Sequence, residues 1–164
     1  MIKRKIALNR ELRLLSSPTL YTRQALNIRE FISQAEDFLT EYFGGEYEIA
    51  LTRDYDYVSV SPRAFAGVLK ISMQRNVGRA PIKINVHAGL NVTKIAIEFD
   101  TSRIEPRDVE QMNTLCEYSG HSLSITENSV TLTSSIAPVT VINVYAGNSK
   151  VILHALEEMF LDFC

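Results

Sequence analysis

Glycine is scarce in this chain, with seven residues among 164. Neither Gly-x-Gly-x-x-Gly nor Gly-x-x-x-x-Gly-Lys occurs anywhere in the sequence. Binding a triphosphate takes convergent backbone amides, usually with a metal ion, and glycines let the backbone come close enough. The sequence therefore contains no standard phosphate-binding loop.

Cysteine and histidine are also few. The two cysteines, Cys116 and Cys164, cannot form a disulfide framework, and no Cys-x-x-Cys or histidine-rich metal spacing is present. This usage predicts reduced thiols in a cytoplasmic protein and no metal site. There is no Gly-x-Ser-x-Gly motif, and neither cysteine has a recognisable local base, so nothing indicates a nucleophilic enzyme.

Long apolar runs and a strong net charge are absent as well. No run approaches the ~20 apolar residues of a membrane span, and the charged start does not resemble a signal peptide. The net charge of −2 gives no field that would attract nucleic acid or a membrane. The expected interpretation of the basic start is a solvated helix face, with a binding arm as the alternative; it contains Lys3, Arg4, Lys5, Arg10 and Arg13.

The chain has an ordinary globular composition, with 46% apolar and 22% charged residues and no linker or internal repeat. We therefore predict one domain over 1–164, with an N-terminal helical segment at 1–24 and an additional C-terminal helix at 148–164. Apolar spacing predicts a first helix over about 3–15. A second helix begins after Asn27, whose side chain can cap it, and ends at Gly44-Gly45.

Alternating apolar residues predict most of the strands. Residues 46–53 and 57–60 are interpreted as partner strands joined by a turn at 54–56, and Ser61-Pro62 opens a helix to about Asn76. Two hairpins are predicted, over 82–99 and 122–133, with a helix from Glu105-Pro106 to Gly120 between them. A buried strand over 139–144 precedes the last helix. Hairpins interleaved with helices favour an α+β fold: a two-layer sandwich with a mixed, mostly antiparallel sheet and helices on one face.

The three histidines are far apart in the sequence. His87, His121 and His154 are each interpreted as surface or helix-packing residues. His154 is the most notable, because Glu157 and Glu158 lie one turn away and could orient its ring.

From about Leu26 to Val144 the sequence resembles the ATP-binding domain shared by histidine kinases, DNA gyrase and MutL. The family helix motif V-L-x-N-L-L-x-N-A is similar to Val68-Leu69-Lys70-Ile71-Ser72-Met73-Gln74-Arg75-Asn76. With Val68-Leu69 as the anchor, the metal-binding asparagine of the family falls on Arg75, and Asn76 is one residue late. The resemblance implies the histidine kinase-like ATPase fold in a degenerate form.

The remaining family boxes are eroded in this sequence. The adenine-binding aspartate of Asp-x-Gly-x-Gly falls on Asp100, but both glycines are gone, and the ATP lid with its second glycine box is missing. Residues 8–15 are similar to the end of a dimerisation hairpin, yet contain no phosphoacceptor histidine. Asp100, Arg75 and Asn76 are therefore the predicted remnant of a nucleotide site, and a strand-end aspartate that caps a loop is the alternative for Asp100.

The preferred functional hypothesis is a non-catalytic, protein-binding module in bacterial signalling or regulation, without a cofactor. The alternative is a divergent ATPase or kinase fragment that uses ATP and Mg²⁺. The apolar last helix either packs internally, for example on the open sheet face, or forms a homodimer contact, and internal packing is favoured.

Overall fold

The computed structural model describes residues 23–43, 47–78, 81–135 and 150–161, which form seven strands and four α-helices. A short 3-10 turn, Thr101–Arg103, lies between β5 and α3. The predicted helix over 3–15 and the predicted strand over 139–144 lie outside the described residues. In chain order the elements are β1 Gln24–Asn27, α1 Ile28–Phe43, β2 Tyr47–Arg53, β3 Tyr57–Val60, α2 Pro62–Arg75, β4 Ile82–Ala88, β5 Val92–Glu98, α3 Pro106–Ser119, β6 Ser122–Ile125, β7 Ser129–Ser135 and α4 Val151–Leu161.

Five strands form the main sheet in the order β2-β4-β5-β7-β6. Strands β2 and β4 are parallel, and every other neighbouring pair is antiparallel. Both predicted hairpins, β4–β5 and β6–β7, are confirmed. The predicted α+β class with a mixed, mostly antiparallel sheet is confirmed too.

The two faces of this sheet differ sharply in polarity. Along β4, the side chains of Ile82, Ile84, Val86 and Ala88 are buried, and the residues between them are half-buried. Because strand side chains alternate, the core lies on one face only. Helices α1, α2 and α3 supply the other half of that core, which includes Phe31, Phe38, Phe65, Leu69, Met112 and Cys116.

The predicted pairing of β2 with β3 is wrong. Strand β3 pairs antiparallel with β1 in a separate two-stranded sheet, and the sequence analysis did not identify β1. Residues 54–56 do not form a hairpin turn: the amides of Asp54 and Tyr55 both donate to the carbonyl of Ala88, and Asp56 accepts from the amide of Ile28. These bonds direct the chain away from β2.

Helices α1 and α2 begin where side-chain capping predicts. The Oδ1 atom of Asn27 accepts from the amides of Arg29 at 2.9 Å and Glu30 at 3.4 Å. The hydroxyl of Ser61 accepts from the amide of Ala64 at 3.3 Å, and Pro62 occupies the first turn of α2, where its missing N–H costs no bond.

Helix α4 packs internally, on α1 and α2. Ile152, Ala155 and Leu156 are fully buried. The buried Gln34 of α1 caps the start of α4, because its Oε1 accepts from the amides of Ile152 at 2.9 Å and Leu153 at 3.1 Å. The ring of Phe160 lies 5.0 Å from that of Phe38. The helix therefore lies on the helical side of the domain, and not on the open sheet face.

Candidate functional site

Asp100 lies two residues after the last residue of β5, near the strand end where the sequence predicts it. Its side chain is exposed, and its Oδ1 accepts from the amide of Ser102 at 2.9 Å. It is thus the N-cap of the 3-10 turn Thr101–Arg103. This geometry is that of the alternative considered for Asp100, a strand-end aspartate that caps a loop.

The 3-10 turn is joined to the end of α2. The guanidinium of Arg103 donates to the carbonyl of Val77 at 3.0 Å. Asn76 is the C-cap of α2, and its amide donates to the carbonyl of Met73 at 3.2 Å. The structure therefore brings the segments that carry Asp100, Arg75 and Asn76 to one end of the domain.

Arg75 forms a bidentate ion pair with a residue that the sequence analysis missed. Its Nε and one terminal nitrogen donate to the two carboxylate oxygens of Asp108, at 2.7 and 3.0 Å. Glu105 lies 3.7 Å from the same guanidinium. Asp108 is buried, and its hydrogen bonds with Arg75 lower the pKa of its carboxyl while raising the pKa of Arg75. Arg75 is thus already paired with carboxylates of its own chain.

The same carboxylate caps α3. One oxygen of Asp108 accepts from the amide of Glu105 at 2.9 Å, which forms half of a capping box. A helix N-terminus is normally a favourable place for an anion, because its amides and dipole attract negative charge. In this domain two acidic side chains, Glu105 and Asp108, occupy that place. The spacing Glu105-Pro106-Arg107-Asp108 is the signal that could have identified the box.

An open groove of about 500 Å³ lies between α2 and α3, beside the end of α4. Helices α2 and α3 are antiparallel, since Gly67 faces Leu115 and Arg75 binds Asp108. A Cβ atom on Gly67 would lie 2.5 Å from Leu115 Cδ1, so glycine is what allows this approach. The groove is lined by Gly67, Lys70, Ile71, Gln74, Glu110, Gln111, Thr114, Leu115 and Met159.

His121 is buried, which the sequence analysis did not anticipate. Its Nε2 accepts from the amide of Ser61 at 3.0 Å, and its Nδ1 has no partner in the part of the chain that the structure describes. Burial, reinforced by the charge of Arg23, lowers the pKa of His121 to about 4. A neutral imidazole therefore joins the start of β6 to the N-cap of α2 and is not exposed for proton transfer.

The other candidate side chains are not brought together. His87 is half-buried on the polar face of the sheet, and His154 is half-buried in α4. Tyr42 donates to Glu157 at 3.1 Å and Arg63 pairs with Glu158 at 2.6 Å, so each carboxylate near His154 has a partner on another helix.

Cys116 is a core residue, as predicted, and burial raises the pKa of its thiol to about 11. Within the described ranges, no group of His, Cys, Asp and Glu side chains could hold a metal ion. None of the helices in those ranges is both long and apolar enough to span a bilayer.

No protein-family model matches the sequence, and a search of curated proteins finds no match either. Solved structures do match. The Acinetobacter baumannii histidine kinase AdeS has a TM-score of 0.53 at 10% identity, covering 71% of this chain and 68% of that one. Histidine kinase ThkA, solved in complex with response regulator protein TrrA, has a TM-score of 0.51 at 11% identity, covering 84% of this chain and 48% of that one.

These likenesses agree with the mixed sheet and its single layer of helices. At 10–11% identity they establish the fold and not the activity. The chain has the histidine kinase-like ATPase fold.

Proposed function

We propose that this chain is a non-catalytic histidine kinase-like domain that acts by binding a protein partner in bacterial signalling or regulation. The observation that carries the proposal is the bidentate pair between Arg75 and Asp108. It lies at the end of α2, where the family resemblance places the metal-binding asparagine.

The pair opposes nucleotide binding in two ways. An arginine cannot ligate Mg²⁺, and the guanidinium of Arg75 is already neutralised by Asp108. A phosphate group that took Arg75 would leave a buried carboxylate without its partner, which is strongly unfavourable.

The start of α3 adds a third obstacle. Its N-terminal amides and dipole could attract a phosphate, but the carboxylates of Glu105 and Asp108 are placed there. An incoming polyphosphate would meet like charge at short range. The carboxylates of Glu105 and Asp108 therefore occupy this position in place of an added anion.

A protein partner is the remaining way for such a domain to act. ThkA was solved bound to the response regulator TrrA, which makes a response regulator the first class of partner to test. A second copy of the chain is the other candidate. We place the protein in the cytoplasm as part of this proposal.

Titration calorimetry with Mg²⁺ and ATP tests the proposal. We expect no saturable heat from the wild-type chain and no ATP turnover. The Asp108→Asn variant keeps a side chain of the same shape but no longer neutralises Arg75, so any gain of phosphate binding should appear in this variant first. Micromolar affinity in the wild type, or measurable hydrolysis, contradicts the proposal.

A divergent nucleotide site is the second candidate, with Asp100, Arg75 and Asn76 as its residues and ATP and Mg²⁺ as its ligands. It is favoured by one observation: Asp100 is exposed, and its turn is bonded to the end of α2. This candidate predicts that Asp100→Ala abolishes nucleotide binding while the far-ultraviolet circular dichroism stays unchanged. It fails if the wild type binds no nucleotide.

A further inference from the structure

The floor of the α2–α3 groove is apolar and its rim is polar. Ile71, Leu115 and Met159 line it and come from three different helices. Gly67 lies next to Leu115 and Met159, and its lack of a side chain leaves the groove open there. Exposed side chains on α3, Gln111 and Thr114, form part of the rim. Such a surface fits an amphipathic segment whose apolar side chains enter between two helices.

The rim carries charged side chains of both signs, Lys70 on α2 and Glu110 on α3. Glu110 is exposed, and none of the ion pairs among the described residues includes it. A basic side chain beside the groove would gain from this carboxylate, although an exposed pair contributes only about 0–1 kcal/mol. The apolar floor is therefore the main attraction, and Glu110 favours an occupant whose basic residues lie on the α3 side of the groove.

The chain itself supplies a segment of matching chemistry. Twenty-two residues precede Arg23, and residues 3–15 combine apolar positions at helical intervals with five basic residues and one acidic residue. The apolar positions are Ile6, Leu8, Leu12 and Leu15, and the basic ones are Lys3, Arg4, Lys5, Arg10 and Arg13.

The point of attachment of this segment is close to the groove. A Cβ atom on Gly120, at the end of α3, would lie 3.2 Å from the guanidinium of Arg23. Leu115 is five residues back along the same helix, which corresponds to about 8 Å. The connection from Leu15 to Arg23 is residues 16–22, which reach up to about 25 Å when extended. It is therefore long enough, and the tether raises the local concentration to roughly millimolar.

We propose that the α2–α3 groove is the docking site for residues 3–15 of the same chain. In this arrangement the apolar positions of the segment contact Ile71, Leu115 and Met159, and a basic residue lies against Glu110. The proposal does not depend on whether the domain binds nucleotide.

Paramagnetic relaxation in the full-length chain tests this docking. A nitroxide is attached at Asn9→Cys in a Cys164→Ser background, and the buried Cys116 remains in place. We expect the strongest broadening at the amides of Gln74, Gln111 and Thr114. Leu12→Glu should weaken docking by more than about tenfold, because it removes a buried leucine. Glu110→Lys should weaken it by about two- to fivefold.

The matched control is Glu48→Lys, which makes the same charge change at an exposed position on the sheet and should leave the broadening unchanged. Broadening centred on other amides, or insensitive to Leu12→Glu, overturns the proposal. Mixing isotope-labelled chains with nitroxide-labelled chains gives the last check. Transfer of the broadening between chains would mean that a second copy fills the groove, and would also overturn it.

Discussion

Acidification is expected to destabilise this fold through the buried imidazole of His121. In the unfolded chain this group titrates with an ordinary pKa of 6.5, and in the folded protein burial lowers the pKa to about 4. Between these values the unfolded state binds more protons than the native state. The free energy of unfolding therefore falls as the pH falls below the unfolded value, and is unaffected above it.

The size of the loss follows from the two pKa values. Each pKa unit corresponds to about 1.4 kcal/mol, so acidification from pH 7 to about pH 4.5 should cost about 2–3 kcal/mol. Asp108 does not interfere in this range. The pKa of its carboxyl is lowered from 3.8, so the stability it contributes is lost only at more acidic pH.

Urea denaturation followed by far-ultraviolet circular dichroism measures the effect across this range, and the chain has no tryptophan to use as a fluorescent probe. His121→Gln keeps a hydrogen-bond acceptor but cannot be protonated. It should cost about 1–2 kcal/mol at neutral pH through imperfect geometry, and should lose most of the pH dependence. His87→Gln is the matched control, because it removes a histidine that is not buried, and should retain the acid loss.

The reasoning is refuted if His121→Gln loses as much stability as the wild type between pH 7 and pH 4.5. The reasoning is also refuted if His87→Gln reduces the pH dependence of the free energy of unfolding as much as His121→Gln does. Either result would assign the acid sensitivity to other groups.

Three further predictions concern packing and capping. Asp108→Ala removes the capping box of α3 and leaves Arg75 without its partner, so the melting temperature should fall, with about 1–2 kcal/mol lost from the cap alone. Gln34→Ala leaves the amides of Ile152 and Leu153, of which only the first is fully buried, without an acceptor and should cost about 1–3 kcal/mol in urea denaturation. Gln111→Ala, at an exposed position, should cost almost nothing. At Gly67, alanine should change stability by less than about 1 kcal/mol, because improved helix propensity offsets displacement of Leu115, whereas valine should cost about 1–3 kcal/mol. Equal effects of the two Gly67 variants would contradict this account of the helix contact.

The sequence predicted the positions of strands and helices better than it predicted which strands pair. Alternation identified β4, β5, β6 and β7, and tight turns joined them into hairpins, because local turn geometry fixes which strands are neighbours. Strand β2 has the same alternation, but its partner β4 lies 35 residues further along the chain, since Tyr47 is paired with Ile82. No local pattern encodes such a pairing. Strand β1 has only four residues, too short for periodicity to detect.

The role of Asp100, Arg75 and Asn76 as the remnant of a nucleotide site stays a prediction, and the pairing of Arg75 was not foreseen. Asp100, Arg75 and Asn76 could be placed by their spacing from the family motif. The pairing of Arg75 with Asp108 depends on how two antiparallel helices are aligned, which is a tertiary property. The burial of His121 likewise results from the packing of β6 against the start of α2, elements 60 residues apart.

We propose that carboxylates of the chain itself close the position that the family resemblance assigns to a nucleotide. A heteronuclear NMR titration of the wild-type protein with Mg²⁺ and ATP tests it most directly. The account predicts no saturable shift at the amides of Arg75, Asn76, Asp100 and Asp108. Saturable shifts at these amides would contradict it.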